Sequence, residues 1–459
     1  MVTISKINKN TGYIHLIGIG GIGMSAIAHL LLSSGYKVSG SDLKNSKIIS
    51  RLRSRGARIV LRHSKDNIRD DVILVVFSSA ISLDNEELKQ ALRKNISVMQ
   101  RANCLYELMH KKKTIAITGS HGKTTTTSLV SHILINARLD PSVMVGGIQK
   151  NIKTNAVFGK GKYFITEADE SDGTFLLYRP DYSIITNIDY EHVDFFKSWK
   201  RIKEKFIEFA NNTKRTVIYC YDDVKLRKLL IGRNKKTFSY GLNHQAQLYA
   251  DNIELSGLNS RFDVFLKNKN IGIISLPLSG DHNIRNCLGA IGIGLQLGID
   301  FRTMRKSLKS MKGVERRLQV KRCNGFTVID DYAHHPTEIR ATLEALTSFE
   351  YKRMIVIFQP HRFTRTKFLW DDFKNCFSKK VDMLIITDIY SAGESPIANI
   401  NAQRLVKEIL CLRKNTFYVQ KDDICEMLGS MFEPGDMVVT LGAGDINKVN
   451  NEIVKILKK

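Results

Sequence analysis

A short apolar strand, Thr114 to Ile117, runs directly into Thr118-Gly119-Ser120-His121-Gly122-Lys123-Thr124-Thr125, and a helix-like stretch from Thr126 to Ile135 follows without a break. Strand, glycine turn and helix in that order commit this part of the chain to an α/β layer, with the helix folded back on the sheet. The turn is also suited to anions. Gly119 and Gly122 let backbone N–H groups face phosphate oxygens, and the start of the helix adds partial positive charge. Lys123 can then reach the β- and γ-phosphates of a nucleoside triphosphate such as ATP, while the hydroxyl of a following threonine, Thr124 or Thr125, can hold Mg2+. The usual eight-residue phosphate loop is broken at one position, because Ile117 stands where its first glycine is found. A glycine turn with no ligand is the competing reading.

A second glycine turn lies near the N-terminus. The pattern predicts a strand over Tyr13 to Ile17, then Gly18-x-Gly20-x-x-Gly23, a helix to Ser34, a second strand from Tyr36, and Asp42 at its end. That is a mononucleotide-binding βαβ fingerprint, whose glycines suit close approach of a pyrophosphate and whose Asp42 is placed to meet a ribose or a neighbouring group. On the residues alone the default ligand is NAD. Apolar runs at Val72 to Phe77 and near Ser97 to Gln100 extend the sheet, which ends about residue 110. Lys6 and Lys9 ahead of the apolar stretch from Ile14 to Leu32 imitate a secretory signal, but glycines at strand-to-helix spacing and His29 mark it as folded sequence. No segment approaches the ~20 apolar residues of a membrane span.

Beyond the phosphate loop, two apolar strands run into polar tips. One leads into Glu167-Ala168-Asp169-Glu170-Ser171-Asp172, the other into Asn187-Ile188-Asp189 and Glu191-His192-Val193-Asp194. The carboxyl ends of parallel strands line the ligand crevice, and one carboxylate with a threonine hydroxyl and ATP oxygens suffices for Mg2+. Helix capping is the alternative use of Asp169, Glu170 and Asp172. Residues 213 to 280 read as alternating strands with polar turns, and Gly280 to Asn286 opens a helix.

A third unit starts near Val314, with Glu315-Arg316-Arg317. Polar tips again follow apolar strands: Asp330-Asp331-Tyr332-Ala333-His334-His335-Pro336, Gln359 to Thr366, Asp388 to Glu394, and Gly442-Ala443-Gly444-Asp445. The strands at Met354 to Phe358, Met383 to Thr387 and Met437 to Thr440 alternate with helices, which implies another doubly wound sheet. Arg362 and Arg365 flank a turn and can clamp a phosphate or carboxylate. The His334-His335 pair lacks a third ligand at zinc spacing.

A length of 459 residues fits about three domains. The net charge of +25 invites a nucleic-acid reading, yet the Lys and Arg are scattered and interleaved with acids, and only Lys111 to Lys113 and Lys197 to Lys205 are dense. A basic surface that steers an anionic substrate is the better account. Seven cysteines without C-x-x-C spacing argue for a reducing compartment, hence a cytoplasmic protein, and against disulfides and zinc.

Taken together, Gly18 to Met24, Thr118 to Thr125, Glu167 to Asp172, Asn187 to Asp194, Gly280 to Asn286, Glu315 to Arg317, Asp330 to Glu338 and Gln359 to Thr366 closely resemble the Mur ligase family, in order and over nearly the whole chain. Ser120, Val193 and Leu318 depart from the usual wording while roughly keeping volume or a hydroxyl. The resemblance implies an α/β fold of three domains: a Rossmann-like domain for a UDP-sugar (1–111), a central P-loop ATPase domain (112–313) and a Rossmann-like C-terminal domain that brings the amino acid (314–459). It replaces NAD by a UDP pyrophosphate at Gly18, Gly20, Gly21, Gly23, Met24 and Asp42.

It further implies ATP at Thr118 to Thr125 with Asn283, Asn286, Arg317 and Asp331, magnesium at Thr124, Thr125, Glu167 and His192, and an amino acid at Tyr332, Arg362 and Arg365. Lys123, Glu167, His192 and Arg365 would be catalytic. The wording is that of members that join L-alanine to UDP-N-acetylmuramate through an acyl phosphate, in cell-wall precursor synthesis. A member that attaches a preformed tripeptide to the same sugar nucleotide is the near alternative, and an ATP-gated nucleic-acid-binding module the distant one. No nucleic-acid partner and no membrane insertion are expected, and the oligomeric state is left open.

Overall fold

The structure, a computed structural model, describes residues 4, 7–9, 11–78, 80–171, 173–191, 196–232, 236–377 and 379–458. Lys6, Asp172, His192, Val193 and Asp194, all drawn on above, lie outside them. The fold is the expected α/β arrangement with three sheets.

The first sheet is parallel: β1 (Tyr13–Ile17), β2 (Lys37–Ser41), β3 (Arg58–Val60), β4 (Val72–Phe77) and β5 (Ser97–Gln100), in the order β3-β2-β1-β4-β5. Its chain order reverses beside β1, so the turn after β1 opens into the crevice between β1 and β4, where open α/β sheets bind ligands. The apolar stretch read against a signal sequence is β1, the glycine turn and the helix Ile22–Ser33, with Ile14, Leu16, Ile17, Ile27 and Leu31 fully buried. Among the described residues no helix is long and apolar enough to cross a membrane.

The second sheet contains β6 (Lys113–Thr118), β7 (Ser142–Gln149), β8 (Thr154–Val157), β9 (Tyr163–Glu167), β10 (Tyr182–Ile185), β11 (Thr216–Cys220), β12 (Thr237–Gly241), β13 (Leu248–Ser256), β14 (Asn259–Leu266) and β15 (Lys269–Leu276). Its order is β15-β14-β13-β12-β11-β10-β6-β9-β7-β8. β6 lies between β10 and β9, with Thr118 opposite Ile185 and Ile117 opposite Glu167. This register brings the ends of three strands to one edge of the phosphate loop.

Two local readings need correction. The helix after the loop begins at Lys123 and not at Thr126, because Gly122 takes the left-handed φ of 83° and ends the loop there. Within 213–280, residues Val224–Leu230 form a helix whose N-cap, Asp223, accepts from Leu226 N–H. The antiparallel β7–β8 pair was not foreseen. Asn155 of β8 donates to Ile22 carbonyl (2.7 Å) and Ser25 Oγ (3.2 Å), tying this pair to the start of the first helix.

The third sheet holds β16 (Gln319–Cys323), β17 (Phe326–Asp331), β18 (Met354–Phe358), β19 (Met383–Ile386), β20 (Thr416–Tyr418) and β21 (Met437–Leu441), ordered β16-β17-β21-β18-β19-β20. Only the β16–β17 pair is antiparallel. β18 and β21 are buried along their full length and, Thr440 apart, apolar, as befits strands inside the sheet. Two compact units result: 1–251 with 264–272 and 285–312, and 252–263 with 273–284 and 313–459.

Candidate active site

Within the first unit, backbone geometry shapes the phosphate loop. Gly119 has φ 129°, and a Cβ there would collide with Thr186 Oγ1; Gly122 has φ 83°, with Asn286 Oδ1 where its Cβ would sit. Both positions therefore require glycine. The tip of β10 then clamps the loop. Asn187 Oδ1 accepts from His121 N–H (2.9 Å), and its amide donates to His121 carbonyl (3.0 Å). Thr186 Oγ1 donates to the same carbonyl (2.6 Å), and Ser120 Oγ accepts from Asp189 N–H (2.8 Å).

Lys123 heads the helix and folds back over the loop. Its Nζ donates to Gly119 carbonyl (2.6 Å) and to both carboxylate oxygens of Glu170 (2.9 and 3.0 Å). Burial alone would depress the ammonium, but the carboxylates of Glu170, Asp169 and Glu191 outweigh it and hold Lys123 above the usual lysine range. Glu170 has only 2% of its side chain exposed, and burial pushes it up to about 7 against the pull of Lys123.

Glu167, at the end of β9, accepts from Thr124 Oγ1 (3.3 Å) and from Gly146 N–H (2.5 Å). A carboxylate and a hydroxyl side by side at the head of a phosphate loop are hard oxygen donors of the type Mg2+ takes, so this donor set fits that ion. Thr118 Oγ1, buried at the end of β6, has no hydrogen-bond partner among the described residues. Thr125 follows Thr124 at the head of the helix, half-buried. Asn286 accepts from Thr126 Oγ1 (3.1 Å), which brings it to the same loop.

Asn283 shares a helix with Asn286 but belongs to the second unit, where its amide donates to Ser279 carbonyl (2.8 Å).

The N-terminal glycine turn lines a cavity of about 550 Å3 with Gly18, Gly20, Gly21, Gly23, Met24 and Asp42 on its wall. Asp42 is used locally. Its Oδ2 accepts from Gly20 N–H (2.8 Å) and its Oδ1 from Lys44 N–H (3.1 Å), so it braces the glycine turn. Arg101, which motif reading passed over, reaches this cavity from the end of β5.

In the second unit, Asp331 at the end of β17 accepts from Leu318 N–H (2.6 Å) and Ala333 N–H (2.7 Å). Burial raises it to about 6 even though Arg317 and those amides oppose the shift. Tyr332 lies beneath two guanidinium groups, Arg316 at 5.1 Å and Arg317 at 5.0 Å from its ring.

Arg362 and Arg365 have different partners. Arg362, strained at φ 72°, pairs with Glu394 Oε1 (3.0 Å). Arg365 Nη1 lies 3.1 Å from His361 Nδ1. Burial, with His334, Arg365, Arg362 and Arg316 around it, lowers His361 to about 3, so its Nδ1 is the acceptor. Glu394, His361 and Arg316 stand in polar segments that the sequence picks out, but no role is legible for them there because it exists only through these pairings.

Family models cover the chain almost end to end. The Mur ligase family catalytic domain matches residues 13–113, the Mur ligase middle domain 117–294, and the Mur ligase glutamate ligase domain 316–444. The chain belongs to the Mur ligase family. It is 45% identical over 451 residues to the UDP-N-acetylmuramate–L-alanine ligase of Desulforapulum autotrophicum, spanning 97% of this chain and 98% of that one. The ligase of the same name from Aquifex aeolicus is 42% identical, with 96% and 97% covered. The crystal structure of the UDP-N-acetylmuramate–alanine ligase of Thermotoga maritima superposes with a TM-score of 0.81 at 29% identity, covering 96% of this chain and 98% of that one. A murein peptide ligase from Psychrobacter arcticus shares the fold, with a TM-score of 0.73 at 21% identity and coverage of 98% and 99%.

Proposed function

We propose that this Mur ligase joins L-alanine to the lactyl carboxylate of UDP-N-acetylmuramate, using ATP and Mg2+, in the cytoplasmic synthesis of peptidoglycan precursor. The observation that carries the reading is the convergence of Lys123, Thr124, Glu167 and Asn286 on the glycine loop, in a chain matched over 97% of its length by a ligase of that name. The domain limits 1–111, 112–313 and 314–459 go with it, for the UDP-sugar, ATP and the amino acid.

A carboxylate oxygen of the substrate attacks the γ-phosphorus and the bond to ADP breaks, leaving an acyl phosphate. The alanine amine, having lost a proton, attacks the acyl carbon, and phosphate departs from the tetrahedral adduct as the amide forms. Lys123 offsets the charge that develops on the transferred group, once it turns from Glu170 toward phosphate. Asn187 keeps the loop amides aimed while this happens. Glu167 and Thr124 or Thr125, with His192, would hold Mg2+, which would supply positive charge against the phosphate during transfer. Asn283, Asn286, Arg317 and Asp331 contact ATP in this reading; Tyr332, Arg362 and Arg365 receive alanine.

A coupled assay of ADP release tests it. Release that needs both UDP-N-acetylmuramate and L-alanine is the expected result. Release driven by a tripeptide in place of alanine, or by nucleic acid without the sugar nucleotide, overturns it.

A further inference from the structure

The cavity above the first sheet takes its polar character from side chains, and these compete with the glycine turn for its own donors. Asp42 already occupies the Gly20 amide, so that N–H is not available to an incoming anion. Gly20 is glycine for the same reason: a Cβ there would lie 2.8 Å from Asp42 Oδ2. Gly23, the third glycine of the fingerprint, faces Arg101. A Cβ at 23 would overlap Arg101 Nη1 and stand 3.3 Å from its Cδ. Two of the fingerprint glycines therefore make room for side chains of this chain, where the usual argument makes room for a ligand.

Arg101 is half-buried in the cavity wall, and no carboxylate, carbonyl or ring among the described residues pairs with its guanidinium. An unpaired guanidinium at the mouth of a helix N-terminus, here Ile22–Ser33, is a receptor for an anion that can accept a forked pair of hydrogen bonds. Lys44 adds a second cation to the lining of the same cavity, and its ammonium likewise has no partner among the described residues.

We propose that Arg101 binds the diphosphate of the nucleotide-sugar substrate, and that position 23 is glycine to seat the Arg101 guanidinium. This rests on the UDP-sugar reading of the cavity. It places the main positive contact of the first domain on a residue at the end of β5, about 80 residues beyond the glycine turn.

Calorimetric titration of the full chain with UDP-N-acetylmuramate, UDP and uridine tests it, with ADP binding as a control for an intact fold. Arg101→Ala should weaken UDP-N-acetylmuramate and UDP alike by about tenfold or more and leave uridine, which has no phosphate, unchanged. Arg101→Lys should fall between, since a point charge replaces the fork. Gly23→Ala should reproduce the Arg101→Ala loss, and the double variant should be no weaker than Arg101→Ala alone. If Arg101→Ala weakens UDP-N-acetylmuramate but not UDP, the guanidinium meets the sugar's carboxylate and the proposal fails. Additive losses in the double variant would return Gly23 to the ligand and also overturn it. A wild-type chain that binds none of the three ligands removes the UDP-sugar reading itself, a separate outcome.

Discussion

Lys123 Nζ rests against both carboxylate oxygens of Glu170, at 2.9 and 3.0 Å, in a site where Glu170 is almost fully buried. The lysine that would meet phosphate is thus already neutralised by an internal anion. Nucleotide binding must exchange one counter-charge for another. Glu170→Gln keeps the shape and removes the charge, leaving the buried ammonium to Asp169 and Glu191. The nucleotide-free variant should lose about 1–3 kcal/mol of stability, and ADP should raise its melting temperature by more than it raises that of the wild type. Equal ADP-induced shifts in the two proteins would show that Glu170 is not what phosphate replaces.

Lys123→Ala removes the charge of the loop while leaving the N-terminal cavity untouched. Turnover should fall by about 10² to 10³ or more, and the affinity for UDP-N-acetylmuramate by titration should stay within about twofold. Ligase activity near that of the wild type would refute the role given to the loop.

Glu167 has two jobs open to it. Its contacts with Thr124 Oγ1 and Gly146 N–H are also those of a structural brace. In Glu167→Gln an amide oxygen can still accept one of these bonds but is a much weaker ligand for a hard cation. The Mg2+ concentration for half-maximal activity should therefore rise about tenfold or more at an unchanged melting temperature. An unchanged Mg2+ requirement would assign the carboxylate to the brace.

The fold was legible where apolar runs end in glycine or charge. β1, β4 and β18 lie at the residues the pattern predicted, because a buried parallel strand is largely apolar and its polar tip follows; the edge strand β5 lies there too, although only Met99 of it is buried. The helix start at Lys123 was missed, since Gly122 was read as part of the turn and not as its left-handed end. Side-chain partners were not legible. Glu170 and Asn187 stand in polar strand tips the sequence picked out, but their partners could not be read there: Asn187 meets the loop only through the β6–β10 register, and Arg101, far along the chain from the turn it reaches, was not picked out at all. Asp42 was expected to meet a ribose or a neighbouring group; its carboxylate accepts from the amides of Gly20 and Lys44.

Arg365 and His361 make a linked pair of predictions. The 3.1 Å contact requires an imidazole lone pair at Nδ1, and burial among cations keeps that ring neutral by lowering it to about 3. The unfolded chain takes up a proton at His361 near pH 6.5, whereas the folded chain refuses it down to about 3. Stability is therefore full above pH 6.5 and lost as pH falls below it, by no more than about 1.4 kcal/mol per unit. His361→Asn, whose amide oxygen can still accept from Arg365, should flatten the fall of melting temperature between pH 6.5 and 4.5 while keeping the alanine KM close to that of the wild type. Arg365→Ala should instead raise the alanine KM at least tenfold with ADP binding unchanged, because a carboxylate clamp is lost and the nucleotide site is not. On the proposed reading such a clamp would hold the carboxylate and only weakly sense the side chain, for one methyl or hydroxyl is worth about 1–3 kcal/mol in a pocket. L-Alanine should be the best acceptor, with measurable turnover of L-serine and glycine. An unchanged alanine KM in Arg365→Ala, or a preference for a tripeptide over alanine, would move the second substrate away from this arginine and the chain toward the tripeptide-joining members of the family.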